Sequence, residues 1–241
     1  MPQPYQNWSP ARGRGGYGAP AAGVRANSRE KFIVRTYNHL FGAIVLFALI
    51  EIGLFMSGLA ESIALAMMGT SWLIVLGGFM VVSWLASRAA HRSEKKSTQY
   101  LALGGFVLAE AIIFVPLLYI ADNYAPGAIQ SAAMVTIAGF AALTGIAFWT
   151  RKDFSFLGGL LRWAFVVALV GIVAALLFGF QLGTWFSVAM VGLAGAAILY
   201  DTSNVLHHFP EDRYVAAALQ LFASVALMFW YVLRIFIGSR N

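Results

Sequence analysis

Seven apolar runs constrain this chain more than any other feature. Each is near the roughly 20 residues that cross a ~30 Å hydrocarbon core. They cover residues 40–60, 72–90, 100–121, 128–149, 156–180, 184–206 and 214–237. Inside a bilayer no water bonds to backbone N–H and C=O groups, so a spanning segment has to be a helix or part of a closed barrel. A barrel strand alternates over about ten residues, and these runs do not alternate. The expected fold is an all-α membrane protein with seven transmembrane helices. Composition agrees: 60% of the residues are hydrophobic and 11% charged, against about half and about a quarter in soluble domains.

Residues 1–30 are rich in Gly, Pro, Ala and Arg and lack an apolar period. They read as a disordered Gly/Pro/Arg-rich cytoplasmic tail. No apolar stretch of signal-peptide type follows the amino terminus. The expected organisation is this tail followed by a seven-helix transmembrane domain over 31–241.

The net charge of +6 is unevenly placed. Fourteen of the sixteen Lys and Arg residues lie in the tail and in the loops after the second, fourth and sixth runs, or just inside their ends. The opposite loops, about residues 61–71, 122–127 and 181–183, carry none. The positive-inside rule then puts the amino terminus in the cytoplasm. Charge distributed in this way reports membrane orientation, and a nucleic-acid partner is not expected. Only Arg234 and Arg240 depart from it. They leave open whether the seventh run crosses fully or is short or re-entrant.

Several chemistries lack their residues. With no cysteine there is no thiolate nucleophile or thiolate metal site. A Schiff base to retinal needs a lysine within a late helix, and no run contains one. An intramembrane serine protease needs a histidine within a span, and none lies in a span interior. The zinc motif His-Glu-x-x-His is absent. Neither an enzyme nor a cofactor is expected.

Acids inside the runs are the candidate functional residues, because an intramembrane carboxylate is costly unless partnered. At 1.5 Å per residue, Glu51 and Glu110 lie roughly 16 Å and 15 Å from the basic side, at one level near the midplane. Asp201 lies ~8 Å deep by the same rise. Asp201, Asn204 and His208 fall at i, i+3 and i+7, on one helical face. Gln220 and Ser224 sit one turn apart on the last run, with Gln220 near the level of Asp201. Such a set either passes a proton or cation, with Asp201 as a candidate Ca²⁺ ligand, or locks helix packing. Small residues crowd the sixth run at Ser187, Ala189, Gly192, Ala194, Gly195 and Ala196. They favour close helix approach and put Asp201 in the interior. Pro116, six residues after Glu110, is expected to free a carbonyl near Ile112 and bend its helix.

Two stretches resemble a known family. Thr-Arg-Lys-Asp-Phe-Ser-Phe-Leu-Gly-Gly-Leu at 150–160 and Gly-Ala-Ala-Ile-Leu-Tyr-Asp-Thr-Ser-Asn at 195–204 are similar to loop and helix motifs of the Bax inhibitor-1 (TMBIM/LFG) family. The continuation through His208, with Tyr214 and Ser224, looks most like its bacterial YccA-like branch. The resemblance implies a seven-helix bundle with the last helix surrounded by the other six. It implies two activities. One is a pH-dependent calcium leak controlled by a proton-sharing pair of aspartates; the other is restraint of a membrane-anchored AAA protease in a bacterial inner membrane. Asp201 matches one aspartate of the pair. Ser224 stands at the position of the other, which breaks the pair and puts the pH switch in question. The partner of Asp201 is then expected among Gln220, Asn204 and the basic residues.

Overall fold

The computed structural model describes residues 19–239, with side chains from residue 27 onward. Among them there are eight helices and no strand: α1 (Ala19–Met56), α2 (Leu59–Met68), α3 (Trp72–Arg92), α4 (Lys96–Tyr124), α5 (Ala128–Thr150), α6 (Leu157–Phe178), α7 (Thr184–His207) and α8 (Tyr214–Gly238). All but α2 are long and apolar enough to span a bilayer. Most of the expected tail lies outside the described residues. Residues 19–30, expected within that tail, are helical and continue directly into the first span.

The loop expected at 61–71 is mostly helix α2. Its ten residues are too few to span, but their apolar side packs against α4, where Ala60 and Ala64 meet Val115. Gly58 makes the break from α1, with φ +76°. L-residues avoid that region because Cβ crowds the following carbonyl.

α8 is the axis of the bundle. It packs against α1, α3, α4, α5 and α7, and Val215–Leu219 are all buried along its first turns. The expectation of six surrounding helices is corrected in one respect: α6 lies outside, against α7 and the edge of α3. Helices α7 and α8 form an antiparallel hairpin. Gly195 of α7 faces α5 closely: a Cβ there would sit 3.3 Å from Leu143, and in ordinary contact, 3.7 Å, with Met228 of α8.

Helix α8 crosses completely. Arg234 donates to the Leu182 carbonyl at 3.4 Å, in the loop preceding α7, at the end opposite the basic residues. Arg240 lies outside the described residues. The bend expected at Pro116 does not interrupt α4, which is one helix from Lys96 to Tyr124.

At the basic end, side chains hold the α7–α8 loop. Arg29 donates to the Leu206 and Phe209 carbonyls at 3.2 and 2.5 Å, satisfying acceptors that a helix carboxyl end leaves open. Lys96 donates to the Asp212 carbonyl, and Arg213 to that of Ser93.

Gly58→Ala is expected to destabilise the protein by about 1 kcal/mol, the cost of a left-handed L-residue. Gly53→Ala, within α1 and with open space at its Cβ, is expected to be neutral or stabilising. Reversible unfolding in detergent measures both, and equal effects would contradict the turn assignment.

Candidate functional site

Asp201 lies on the face of α7 turned to α8 and is 3% exposed. Its partners are two side chains one turn apart on α8. Gln220 Nε2 donates to Oδ1 at 2.6 Å, and Ser224 Oγ donates to Oδ2 at 2.5 Å. Ser224, the residue that removes the second aspartate, therefore supplies half of the replacement. Both oxygens are occupied by neutral donors, which is how a buried carboxylate avoids the penalty of an unmet acceptor.

The expected grouping of Asp201, Asn204 and His208 does not form. Asn204 is half-buried and takes no part in the bonds to Asp201. His208 follows the last turn of α7 and points to the α5–α6 loop, where its Nε2 donates to Asp153 Oδ2 at 2.9 Å. A helix face continues only while the helix does, and α7 ends at His207.

Asp153 is the residue that sequence reasoning missed. It lies in a charged loop, where a solvated side chain is the default. Its Oδ1 accepts the Ser155 N–H at 2.8 Å and the Ser203 hydroxyl at 3.4 Å. Ser203 Oγ accepts in turn the Phe154 N–H at 2.8 Å. Gly158 lies against Tyr200 so closely that a Cβ would come within 2.9 Å of the ring. The two motif stretches, 150–160 and 195–204, are thus one physical unit that clamps the loop to α7. The Ser155 backbone N–H, and after it His208, hold the Asp153 carboxyl down from 3.8 to about 2.

Glu51 and Glu110 are both buried, each 7% exposed. Aromatic pairs give their register along α8. Phe106 meets Phe222 with centroids 6.1 Å apart, and Phe114 meets Phe229 at 5.5 Å. Glu110, midway between, is level with residues 225–226 of α8. Phe47 packs against Phe114 and Phe222 at 5.2 and 6.1 Å, and Glu51 lies one turn further. The three acids therefore surround α8 within about two turns, on α7, α4 and α1. Both Glu51 oxygens are buried without a hydrogen-bond partner. The hydroxyl of Tyr37 on α1 is different: it lies within hydrogen-bonding reach of Thr144 on α5 and Thr202 on α7. Among the described residues no three His, Asp or Glu side chains gather as a metal site.

A family model described as inhibitor of apoptosis-promoting Bax1 matches residues 29–241. A Golgi anti-apoptotic protein of Vaccinia virus (strain Lister) is 26% identical over 168 residues, covering 69% of each chain. The modulator of FtsH protease YccA of Escherichia coli (strain K12) is 38% identical over 87 residues, which are 36% of this chain and 39% of that one. Protein LIFEGUARD 4 of Arabidopsis thaliana is 32% identical over 152 residues, 59% of each.

Two outcomes follow from this geometry. Asp201→Ala strands the Gln220 and Ser224 donors and is expected to cost about 3 kcal/mol, whereas Asp201→Asn keeps an acceptor oxygen and is expected to cost about 1 kcal/mol; unfolding in detergent distinguishes them. For Asp153, the unfolded chain takes up a proton before the folded one. Its stabilising contribution is therefore whole above about pH 4 and is lost as pH falls through about 2. Asp153→Asn should flatten that part of the acid-unfolding profile, and an unchanged profile would contradict the clamp.

Proposed function

Starting from the Bax inhibitor-1 family, to which the chain belongs, we propose that it is a non-enzymatic modulator of a membrane-anchored AAA protease. In this reading it sits in a bacterial inner membrane with its amino terminus and basic end in the cytoplasm. The observation that carries it is the similarity to the Escherichia coli protein named as a modulator of the FtsH protease. Physical features support it. Helix α1 has 38 residues, about 57 Å at 1.5 Å per residue, well beyond a ~30 Å core. The excess lies at the amino-terminal, basic end, where a cytoplasmic partner would find a surface to grip. The distribution of Lys and Arg supports the orientation.

A second reading has its own observation. Glu51 presents two buried oxygens with no donor, within about two turns of Asp201 and Glu110 along α8. A cation or proton leak through the bundle would use such groups. Asp201, whose oxygens are already engaged, then holds α7 to α8 and influences the leak by fixing their register.

Affinity purification of the full chain from native membranes tests the first reading. The AAA protease should co-purify, and deletion of the chain should change turnover of the protease's substrates. Absence of the protease together with unchanged turnover would overturn it. The second is tested in vesicles loaded with a calcium dye. Flux that responds to Glu51→Gln is expected; no flux between about pH 5 and pH 8 would remove the leak reading.

A further inference from the structure

The bundle carries a groove between α1 and α4 at its basic end, with a volume of about 300 Å³. Two glycines open it, Gly42 and Gly104; a Cβ at either would meet nothing within 4 Å. Its deeper wall is apolar, formed by the buried Ala43, Leu103 and Val107, with Leu46 at its exposed edge. The flanking side chains Phe41 and Leu101 are 69% and 77% exposed, so the groove opens towards lipid. From residue 38 to 46 it rises about 12 Å, within one leaflet of a ~30 Å core.

The mouth of the groove is polar and cationic. His39 and Tyr100 line it, bonded to each other at 3.2 Å, and Tyr100 bonds to Tyr214 at 3.2 Å. Two cations rest on the Tyr214 ring: Arg35, with Cζ 5.5 Å from its centroid, and Lys96, with Nζ at 4.4 Å. Neither engages a carboxylate among the described ion pairs; Lys96 Nζ also donates to the Asp212 carbonyl and to Gln99 Oε1 at 3.4 Å, neutral acceptors that leave its charge uncompensated. The aromatic cluster thus positions two positive groups at the interface, directly above an apolar slot.

We propose that this groove holds one anionic phospholipid, its acyl chain along the Gly42–Gly104 slot and its phosphate against Arg35 and Lys96. Charge complementarity selects the occupant. A zwitterionic lipid gains the same slot but presents its own cation to Arg35 and Lys96. Basic pockets between spanning helices are suited to anionic headgroups, and the planar guanidinium of Arg35 matches phosphate oxygens in pairs.

The experiment uses the full chain, delipidated in detergent, and native mass spectrometry with phosphatidylglycerol or phosphatidylcholine. One phosphatidylglycerol per chain is expected to be retained in clear preference to phosphatidylcholine. Arg35→Gln should weaken retention about five-fold, one basic contact being lost. Filling the slot with Gly42→Leu and Gly104→Leu should weaken it about ten-fold or more, while unfolding of the lipid-free protein stays as in the wild type. If the filled variant unfolds early, Arg35→Gln alone decides. Equal retention of the two lipids, or unchanged retention in Arg35→Gln, would overturn the proposal. Displacement of the lipid by soluble glycerol phosphate would also overturn it, in favour of a free-phosphate site.

Discussion

A carboxylate placed in hydrocarbon has to be met by donors, and Asp201 is met only if α8 lies beside α7 in one register. Gln220 and Ser224 reach its two oxygens from consecutive turns. Rotating α8 by a single residue, about 100°, would take both donors away together. The apolar contacts repeat the same demand. Met228 packs beside Gly195, and Tyr231 packs edge-on against Phe186 at 5.9 Å. Lipid offers little hydrophobic drive between helices, so packing of small residues and polar bonds fix their arrangement. The α7–α8 hairpin supplies both, and α1, α3, α4 and α5 are laid around it.

Much of this was legible in the sequence because transfer into lipid is a property of composition. Twenty apolar residues report a span whatever they touch, so the seven spans follow from that alone, and the small residues of the sixth run add the burial of Asp201. Partnership is a property of geometry. Ser224 looked like the loss of an acid, since a sequence comparison counts charges, whereas a hydroxyl one turn from an amide satisfies a carboxylate as well. Helix α2 went unread because ten residues fall below any spanning length. Asp153 went unread because a loop aspartate carries no periodic signal. The clue available was the pairing of two motifs, 150–160 and 195–204, whose contact explains why both stretches have the form they do: Gly158 makes room for Tyr200, and Ser203 receives the loop.

The basic residues illustrate one feature serving two purposes. As a count they carry the expectation of a cytoplasmic basic end. Individually, Arg29 satisfies carbonyls at the end of α7, Lys96 and Arg213 tie the α7–α8 loop to α4 and to the α3–α4 connection, and Arg35 is presented outward on an aromatic ring. Those bonded to backbone act on the fold. Arg35, and the charge that the backbone bond of Lys96 leaves uncompensated, remain to meet an anionic membrane or a partner, and this division is invisible to any sum of charges.

The acids divide in the same way. Asp201, Glu110 and Glu51 encircle α8 within about two turns, yet they are not equivalent. Asp201 has already given an acceptor position on each oxygen to a neighbouring helix, and moving its hydrogen bonds means moving α7 against α8. Glu51 has given none, so a proton or cation reaching it need break nothing. A buried carboxyl without donors is tolerated only when something offsets its cost, and no packing role in α1 requires a glutamate where its neighbours Phe47 and Phe55 are apolar. On the proposed leak reading, the question therefore moves from the acid that the family motif marks to the one it does not. Asp201 holds the frame, and Glu51 is the group within it whose chemistry is still uncommitted.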